Sequence, residues 1–413
     1  MDVASRSMRV LHVNKFLYRR GGAEGYLFDL AALQRARGDE VAYFGMAHPD
    51  NDSPQRYGHF FPPHVELEPP PPGLAGRAAA VGRMLHSPAS RRGLAKVIAD
   101  FRPDVVHAHN VYHQLSPSVL RAAADAGVPC VLTMHDYKLA CPSYQLLAGG
   151  AVCDACVTGG PWQAVRTRCK DGSLGRSAVL AAETWLHRVT GAYGPVRAFV
   201  SPSRFLADVM ARAGVYPDRL RVVSHFVDGS VIAPSPGPGE GVVFAGRLVP
   251  EKGVDTLVAA AGLGGFRVEV AGEGPARPEL ERLAARAAPG LVTFHGRLAK
   301  DDLHALMRRA RVAAVPSRWH ENQPMAVLEA FACGLPVVTT GLGGLPELVE
   351  PGVDGAIVPA GDPAALAAAL TGILADPSLA AAMGKAGRAK VERDFAPDVH
   401  LARLREVYSG APA

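Results

Sequence analysis

Residues Trp319–Thr340, WHENQPMAVLEAFACGLPVVTT, decide how the rest of the chain is read. Glu321 and Glu329 stand eight positions apart. Pro324 is tolerated in the first turn of a helix, so a helix opens near it. Gly334 and Pro336 close that helix, and Val337–Thr340 reads as a strand. Apart from Glu329 the helix is apolar (Met325, Ala326, Val327, Leu328, Ala330, Phe331, Ala332), which predicts burial on all sides. A buried carboxylate is costly unless something pairs with it. A ligand hydroxyl and a buried arginine would each answer that need, and these residues alone do not choose between them. At Asn322–Met325 the helix offers unbonded backbone N–H groups and the positive end of its dipole, a seat for phosphate.

Outward from this unit, strands and helices alternate. The N-terminal half carries predicted strands at Met8–Phe16, Glu40–Met46, Asp104–His109, Pro129–His135, Ala198–Ser203 and Leu220–Val227. The C-terminal half carries Gly241–Gly246, Phe266–Ala271, Val292–His295, Val312–Pro316, Val337–Thr340 and Ala356–Val358. Alternation of this kind means parallel sheets covered on both faces. The fold class is α/β, with two doubly wound Rossmann-like domains facing a central cleft. Ligands of such sheets sit at the carboxyl ends of strands. The boundaries are 1–228 for the first domain, 229–240 for a Pro/Gly-rich linker, 241–396 for the second domain and 397–413 for a last helix. His48–Pro72 reads as a proline-rich loop. A helical segment from Gly73 to Phe101, split at Pro88, carries Arg77, Arg83, Arg91, Arg92 and Lys96.

The 413 residues exceed one core, are 48% hydrophobic and 20% charged, and carry a net charge of +5. So mild a positive charge suits anionic ligands and does not call for nucleic acid. Met1–Ser7 is short and polar, Met8 is a candidate start, and no apolar run reaches spanning length. The expectation is a cytoplasmic protein with reduced thiols. The basic Arg77–Lys96 segment is a candidate peripheral contact at the inner face of a membrane; an ordinary solvated face reads equally from it.

Gly246-Arg247-Leu248 follows a strand and precedes Glu251-Lys252-Gly253 at a helix start. Two cations there suit a diphosphate, or decorate a turn. Gly21-Gly22 could bring backbone to a phosphate, but lacks the spacing of a nicotinamide-binding loop. His135 ends a strand and could face the cleft. His107 and His109 share one strand face, as a metal pair or as packing. The glycines of Gly272-Glu273-Gly274 and Gly341–Gly344 permit close approach or merely turn the chain. Asp50-Asn51-Asp52 reads as a solvated loop rather than a metal-diphosphate motif.

Residues 138–172 break the rhythm as an insertion rich in Cys, Gly and Pro. Cys130 and Cys333 lie in apolar runs and read as core thiols. Cys141, Cys153, Cys156 and Cys169 fall in the insertion, with one CxxC among them, and form a candidate structural zinc site or a set of free thiols.

In chain order, GGAE (21–24), HDYKLACP (135–142), SPSRF (201–205), GRLVPEKG (246–253), AGEGP (271–275), FHGRL (294–298) and ENQPMAVLE (321–329) resemble the retaining family 4 glycosyltransferases of the GT-B fold. HDYKLACP with the trailing cysteines resembles a cysteine-containing subgroup of that family. The resemblance spans nearly the whole chain. It implies transfer of a sugar from a nucleotide-diphosphate donor to an acceptor hydroxyl, with retention and without a catalytic metal. The acceptor it implies is an unidentified saccharide, lipid-linked or small molecule. By the same resemblance Arg247 and Lys252 hold the diphosphate and Glu329 the ribose hydroxyls. Glu321 and the backbone amides after it, at Asn322, Gln323 and Met325, meet donor sugar and phosphate. Gly22 lies across the cleft, His135 sits by the donor sugar, and Phe294–Leu298 borders the base. The family's small glycine-rich stretch after the first Glu is Asn322-Gln323-Pro324 here, and Pro324 removes one N–H donor. Other GT-B enzymes, a sugar-nucleotide epimerase or a phosphorylase, and a non-catalytic scaffold are the competing classes.

Overall fold

The computed structural model describes residues 7–52, 55–67, 71–237 and 239–410. Parts of the predicted His48–Pro72 loop (53, 54 and 68–70) and Pro238 of the predicted linker lie outside the described residues. The first sheet is built from β1 (Arg9–Val13), β2 (Glu40–Phe44), β3 (Val105–Ala108), β4 (Cys130–Thr133), β7 (Ala198–Ser201) and β8 (Leu220–Val222). A two-residue hairpin, β5 (Leu147–Ala148) and β6 (Ala151–Val152), stands apart in the insertion. The second sheet holds β9 (Val242–Ala245), β10 (Val268–Ala271), β11 (Val292–Gly296), β12 (Val312–Val315), β13 (Val337–Thr340) and β14 (Gly355–Val358).

Strand order is β2-β1-β3-β4-β7-β8 in the first sheet and β11-β10-β9-β12-β13-β14 in the second. Every named pairing within both is parallel. The central strands VVHA, CVLT, AFVS and VAAV are buried at every position, as helices on both faces require. The order reverses between β1 and β3 in one sheet and between β9 and β12 in the other. Crevices open at the carboxyl ends of strands at such points.

One expectation is corrected. The strand expected over Leu220–Val227 ends at Val222, because Val223 and Phe226 turn to pack with Leu404, Val407 and Tyr408 of the last helix, Pro397–Ser409. That helix lies on the N-terminal sheet: Arg405 reaches Asp39 at 2.9 Å and Tyr408 reaches His107 at 2.7 Å. The 229–240 segment is no free tether. Arg388 donates to the carbonyls of Gly229 (2.6 Å) and Ile232 (2.8 Å), Ser235 N–H to Cys333 O (2.8 Å) and Glu240 N–H to Arg309 O (2.8 Å).

Candidate active site

The two switch points face each other across the cleft. From β9 the chain turns through Gly246 and Arg247 into a 3-10 turn, Pro250–Lys252; from β12 it runs through Ser317 to Glu321. Because β9 and β12 are neighbours, these ends meet. The Lys252 ammonium donates to Glu321 Oε1 at 2.6 Å, and the Ser317 hydroxyl donates to the same oxygen at 2.6 Å. Glu321 is buried, which alone would raise its carboxyl. The Lys252 charge and the hydrogen bonds outweigh that, and the group is held below the ordinary carboxylate range. Lys252 also stands over the Trp319 ring, 5.5 Å from its centroid. Arg247 is exposed and has no side-chain partner among the described residues. The ambiguous glycines turn out to be contact points between loops: a Cβ on Gly272 would lie 1.8 Å from Gly246 O, and one on Gly343 would lie 2.1 Å from Glu321 O.

The helix itself spans Met325–Ala332, with Pro324 at its N-cap and no side-chain cap. Val327 N–H bonds Pro324 O at 3.1 Å, so Met325 and Ala326 keep N–H groups with no partner among the described residues. Val327, Leu328, Ala330, Phe331 and Ala332 are buried, whereas Glu329 opens an edge of the helix, its side chain 16% exposed. The arginine that would make Glu329 a structural ion pair is absent among the described residues. The basic side chain near it is His304, whose Nε2 lies 3.9 Å away, beyond hydrogen-bond range, and is buried without a hydrogen-bond partner among the described residues.

The side chains of Asn322 and Gln323 point away from the helix start, leaving only their backbone amides for the role expected of them. Asn322 Oδ1 accepts from Ser203 Oγ at 2.8 Å, and its amide reaches Met134 O at 3.4 Å. Gln323 Oε1 accepts from His225 N–H at 2.5 Å. Both side chains therefore clasp the N-terminal domain. Glu347 adds a further clasp, accepting from the N–H groups of Arg204 (2.8 Å) and Phe205 (2.6 Å).

On the opposite wall, Gly22 begins the Gly22–Ala36 helix with open space where a side chain would stand. His135, at the end of β4, is half-buried and ends a hydrogen-bonded ladder of histidines. Gln34 Oε1, an acceptor only, faces His12 Nε2 at 2.7 Å, so that nitrogen carries the proton. His12 is wholly buried and its pKa is lowered to about 4, so it is neutral and its Nδ1 is an acceptor. The rest of the polarity follows. His109 Nε2–H donates to His12 Nδ1 (3.0 Å), and His135 Nε2–H donates to His109 Nδ1 (3.1 Å). His135 Nδ1 then presents a lone pair, with no partner among the described residues. Burial lowers His135 to about 3, so it stays neutral.

His12, His107 and His109 are the one group of three ligand atoms within 4.8 Å among the described residues. Every ring nitrogen of the three is hydrogen-bonded, His107 to Tyr408 and Thr133. The metal-pair alternative for His107 and His109 gives way to packing. The four insertion cysteines gather in one place: burial pushes the Cys156 thiol up to about 12, helped by Cys141, Cys169 and Cys153. They do not reach the mutual spacing of a metal-ligand set. Cys156 packs with Ala164 and Ala181 instead, and Cys141 Sγ lies 3.3 Å from Ser143 Oγ.

Sequence reasoning missed Lys15 and Asp136. Lys15 follows β1 and stacks on Tyr112, 4.1 Å from its centroid; burial lowers it to about 8 against the pull of Asp136 and Glu24. Burial raises Asp136, against hydrogen bonds from Tyr112 and the Lys138 amide and the charges of Lys15 and Lys138. The strand-end rule that singled out His135 applies equally to Lys15. A lysine after a first strand carries no motif of its own.

The family described as "Glycosyltransferase Family 4" matches residues 20–230, and "Glycosyl transferases group 1" matches residues 239–376. A D-inositol 3-phosphate glycosyltransferase of Acidothermus cellulolyticus is 31% identical over 87% of this chain and 79% of its own length. The chain belongs to glycosyltransferase family 4. A glycogen synthase of Mycobacterium tuberculosis is likewise 31% identical, over 75% of this chain and 70% of its own. The fold matches the sucrose-phosphate synthase of Thermosynechococcus elongatus with a TM-score of 0.71 at 20% identity, covering 98% of this chain and 100% of that one. It also matches Anabaena Alr3699/HepE in complex with UDP and glucose, with a TM-score of 0.68 at 21% identity, covering 97% and 99%. This family 4 enzyme thus has the GT-B architecture, and it is a retaining glycosyltransferase with a nucleotide-sugar donor.

Proposed function

We propose that the C-terminal switch point is the donor diphosphate seat of a hexosyl transfer to an acceptor hydroxyl in glycan or glycolipid synthesis. The observation that carries this reading is the pairing of Lys252 with buried Glu321 beside the unpartnered Arg247 and the uncapped N–H groups of Met325 and Ala326. As the sugar leaves, charge grows on the diphosphate. Lys252, held by Glu321, the exposed Arg247 guanidinium and two preorganised N–H dipoles stabilise that charge without a metal. The edge position of Glu329 fits a carboxylate accepting ribose hydroxyls, with the Phe294–Leu298 loop bordering the base. Across the cleft, the His135 Nδ1 lone pair accepts a hydrogen bond from a donor-sugar hydroxyl, and Gly22 lets backbone approach the phosphate. Lys15 and Asp136 line the acceptor side.

Uridine and guanosine diphosphate sugars are the donors to screen first, by thermal shift, since a ligand that binds only the folded chain stabilises it. Lys252→Ala and Glu329→Gln are expected to fold and to lose most of that shift; unchanged shifts with both variants refute the seat. Product analysis of the wild type, showing a new glycoside with free nucleoside diphosphate, tests transfer itself. Structural zinc at Cys141, Cys153, Cys156 and Cys169 is a separate proposal, supported by their convergence. It requires the thiols to draw together from their present spacing.

A further inference from the structure

A face of the N-terminal domain carries exposed apolar side chains. The Leu174–Val189 helix buries Leu180 and Ala181 and, beside them, the polar Ser177, Glu183, Thr184 and His187. Glu183 holds Lys138 at 2.8 Å and lies 3.3 Å from His113. Apart from Arg176, its large outward residues are apolar, with Leu174 55%, Trp185 46% and Val189 60% exposed. A surface helix ordinarily shows the reverse pattern. Packed beside it, the Gly73–Leu85 helix buries only Met84 and leaves Leu74 85% exposed. Trp162 completes the face, its ring 6.4 Å from that of Trp185.

The rim is cationic. Arg77, Arg166, Arg168 and Arg176 are exposed around it. The two exposed helices and the Gln163–Thr167 helix contain one acidic residue, Glu183, and that one is buried. Asp171 is the acid at the edge, paired with Arg176. The face shares Arg77 and its helix with the basic segment expected over Arg77–Lys96, but not the remainder of that segment. There Arg83 is spent on the carbonyls of Gln114 and Pro63 and Arg91 on Asp125, while the Pro88–Phe101 helix is anchored in the core by Leu94, Val97 and Phe101.

We propose that the paired Gly73–Leu85 and Leu174–Val189 helices, with Trp162, form the docking face for an anionic lipid bilayer. Contiguous apolar area of this kind is rare on a monomer that stays in water. Indole rings favour the depth of lipid headgroups, and cations beside an apolar stripe suit an anionic leaflet. A second copy of the chain fits less well, because a symmetric contact sets the same arginines against each other. The docked face lies on the wall that carries His135, since Glu183 on the exposed helix grips Lys138, three residues further along. A membrane-held acceptor would thus be delivered beside the cleft.

Flotation with phosphatidylglycerol/phosphatidylcholine vesicles, and with phosphatidylcholine alone, tests this directly. The wild type is expected to float with the anionic vesicles and to have its tryptophan emission quenched by brominated lipid. Replacing Trp185 and Val189 by serine should weaken partitioning at least about 10-fold, by removing buried apolar area. Arg77→Glu with Arg176→Glu should abolish the preference for anionic lipid. All these residues are exposed, so circular dichroism of the variants should match the wild type. No flotation at low salt, or flotation unchanged in the Trp185/Val189 variant, overturns the proposal. So does a wild-type dimer in sedimentation that the same variant turns into a monomer, which would assign the face to self-association.

Discussion

Lowering the pH from 7 to 5 should destabilise the N-terminal half of this protein far more than a typical domain. The cause is the histidine ladder and the last helix that caps it. His12 is 0% exposed and His400 is 2% exposed, and burial lowers each to about 4. A hydrogen bond to Gln34 and one to the Ser224 carbonyl oppose burial without reversing it. In the unfolded chain a histidine binds its proton near pH 6.5. Between about 6.5 and about 4 the unfolded chain therefore holds more protons than the folded one, and stability falls as pH falls. From pH 7 to pH 5 each such histidine removes about 2 kcal/mol, so His12 and His400 together remove about 4 kcal/mol. His107 and His109, held well below their ordinary value by burial and by neighbouring histidines, add to that loss. Against a total of about 5–15 kcal/mol for a domain, this is enough to approach unfolding. Glu183 and Glu321 are held below their ordinary values, so their contribution is lost only below about pH 4.5, whereas buried Asp136 is raised, and a proton it takes up in the folded chain opposes the loss. Urea denaturation at pH 7 and pH 5, followed by circular dichroism and by hydrogen exchange on β1, β3 and β4 peptides, measures the effect. A difference below about 1 kcal/mol would mean that the ladder is protonated in the folded state, and the tautomer assignment of His135 would fall with it.

Lys252→Ala leaves Glu321 buried beside Ser317 without its cation. A stability loss of roughly 3 kcal/mol and a Glu321 carboxyl shifted upward are expected, measurable by urea melts and by the pH dependence of nucleotide binding. Ser203→Ala removes the hydroxyl that reaches Asn322, costing about 1 kcal/mol of interdomain contact. Its expected signature is a larger radius of gyration by small-angle scattering in the absence of nucleotide. His109→Phe cuts the ladder behind His135; kcat should fall with KM for donor nearly unchanged, and an equal change in both would show that the ladder only packs. Metal analysis of protein purified under reducing conditions decides the cysteines. One zinc per chain requires the four thiols to close in from their present spacing, and loss of that zinc in Cys156→Ser would complete the assignment.

Much of this was legible along the chain because it is local. The β-branched runs ending in Gly, His or Pro mark strands, and their alternation with helical segments forces two parallel sheets. The unit Glu321–Glu329 shows an uncapped helix start and a lone carboxylate on one short stretch. Whether Glu329 faced a buried arginine depended on what a distant helix brings against it. Only the tertiary structure could place His304 beside it, 3.9 Å away and outside hydrogen-bond range. The same holds for Asn322 and Gln323, whose side chains belong to the opposite domain, and for Lys15 and Asp136, whose shifted titration arises from burial. The polarity of His135 depends on Gln34 and on two histidines from other strands, a relation with no trace in spacing. So the sequence by itself determined the fold class and the chemical inventory of the cleft, since periodicity and strand-end position are properties of neighbours. Which charges are paired, which lone pair is free and which helix shows its apolar side to the outside were decided by long-range packing alone.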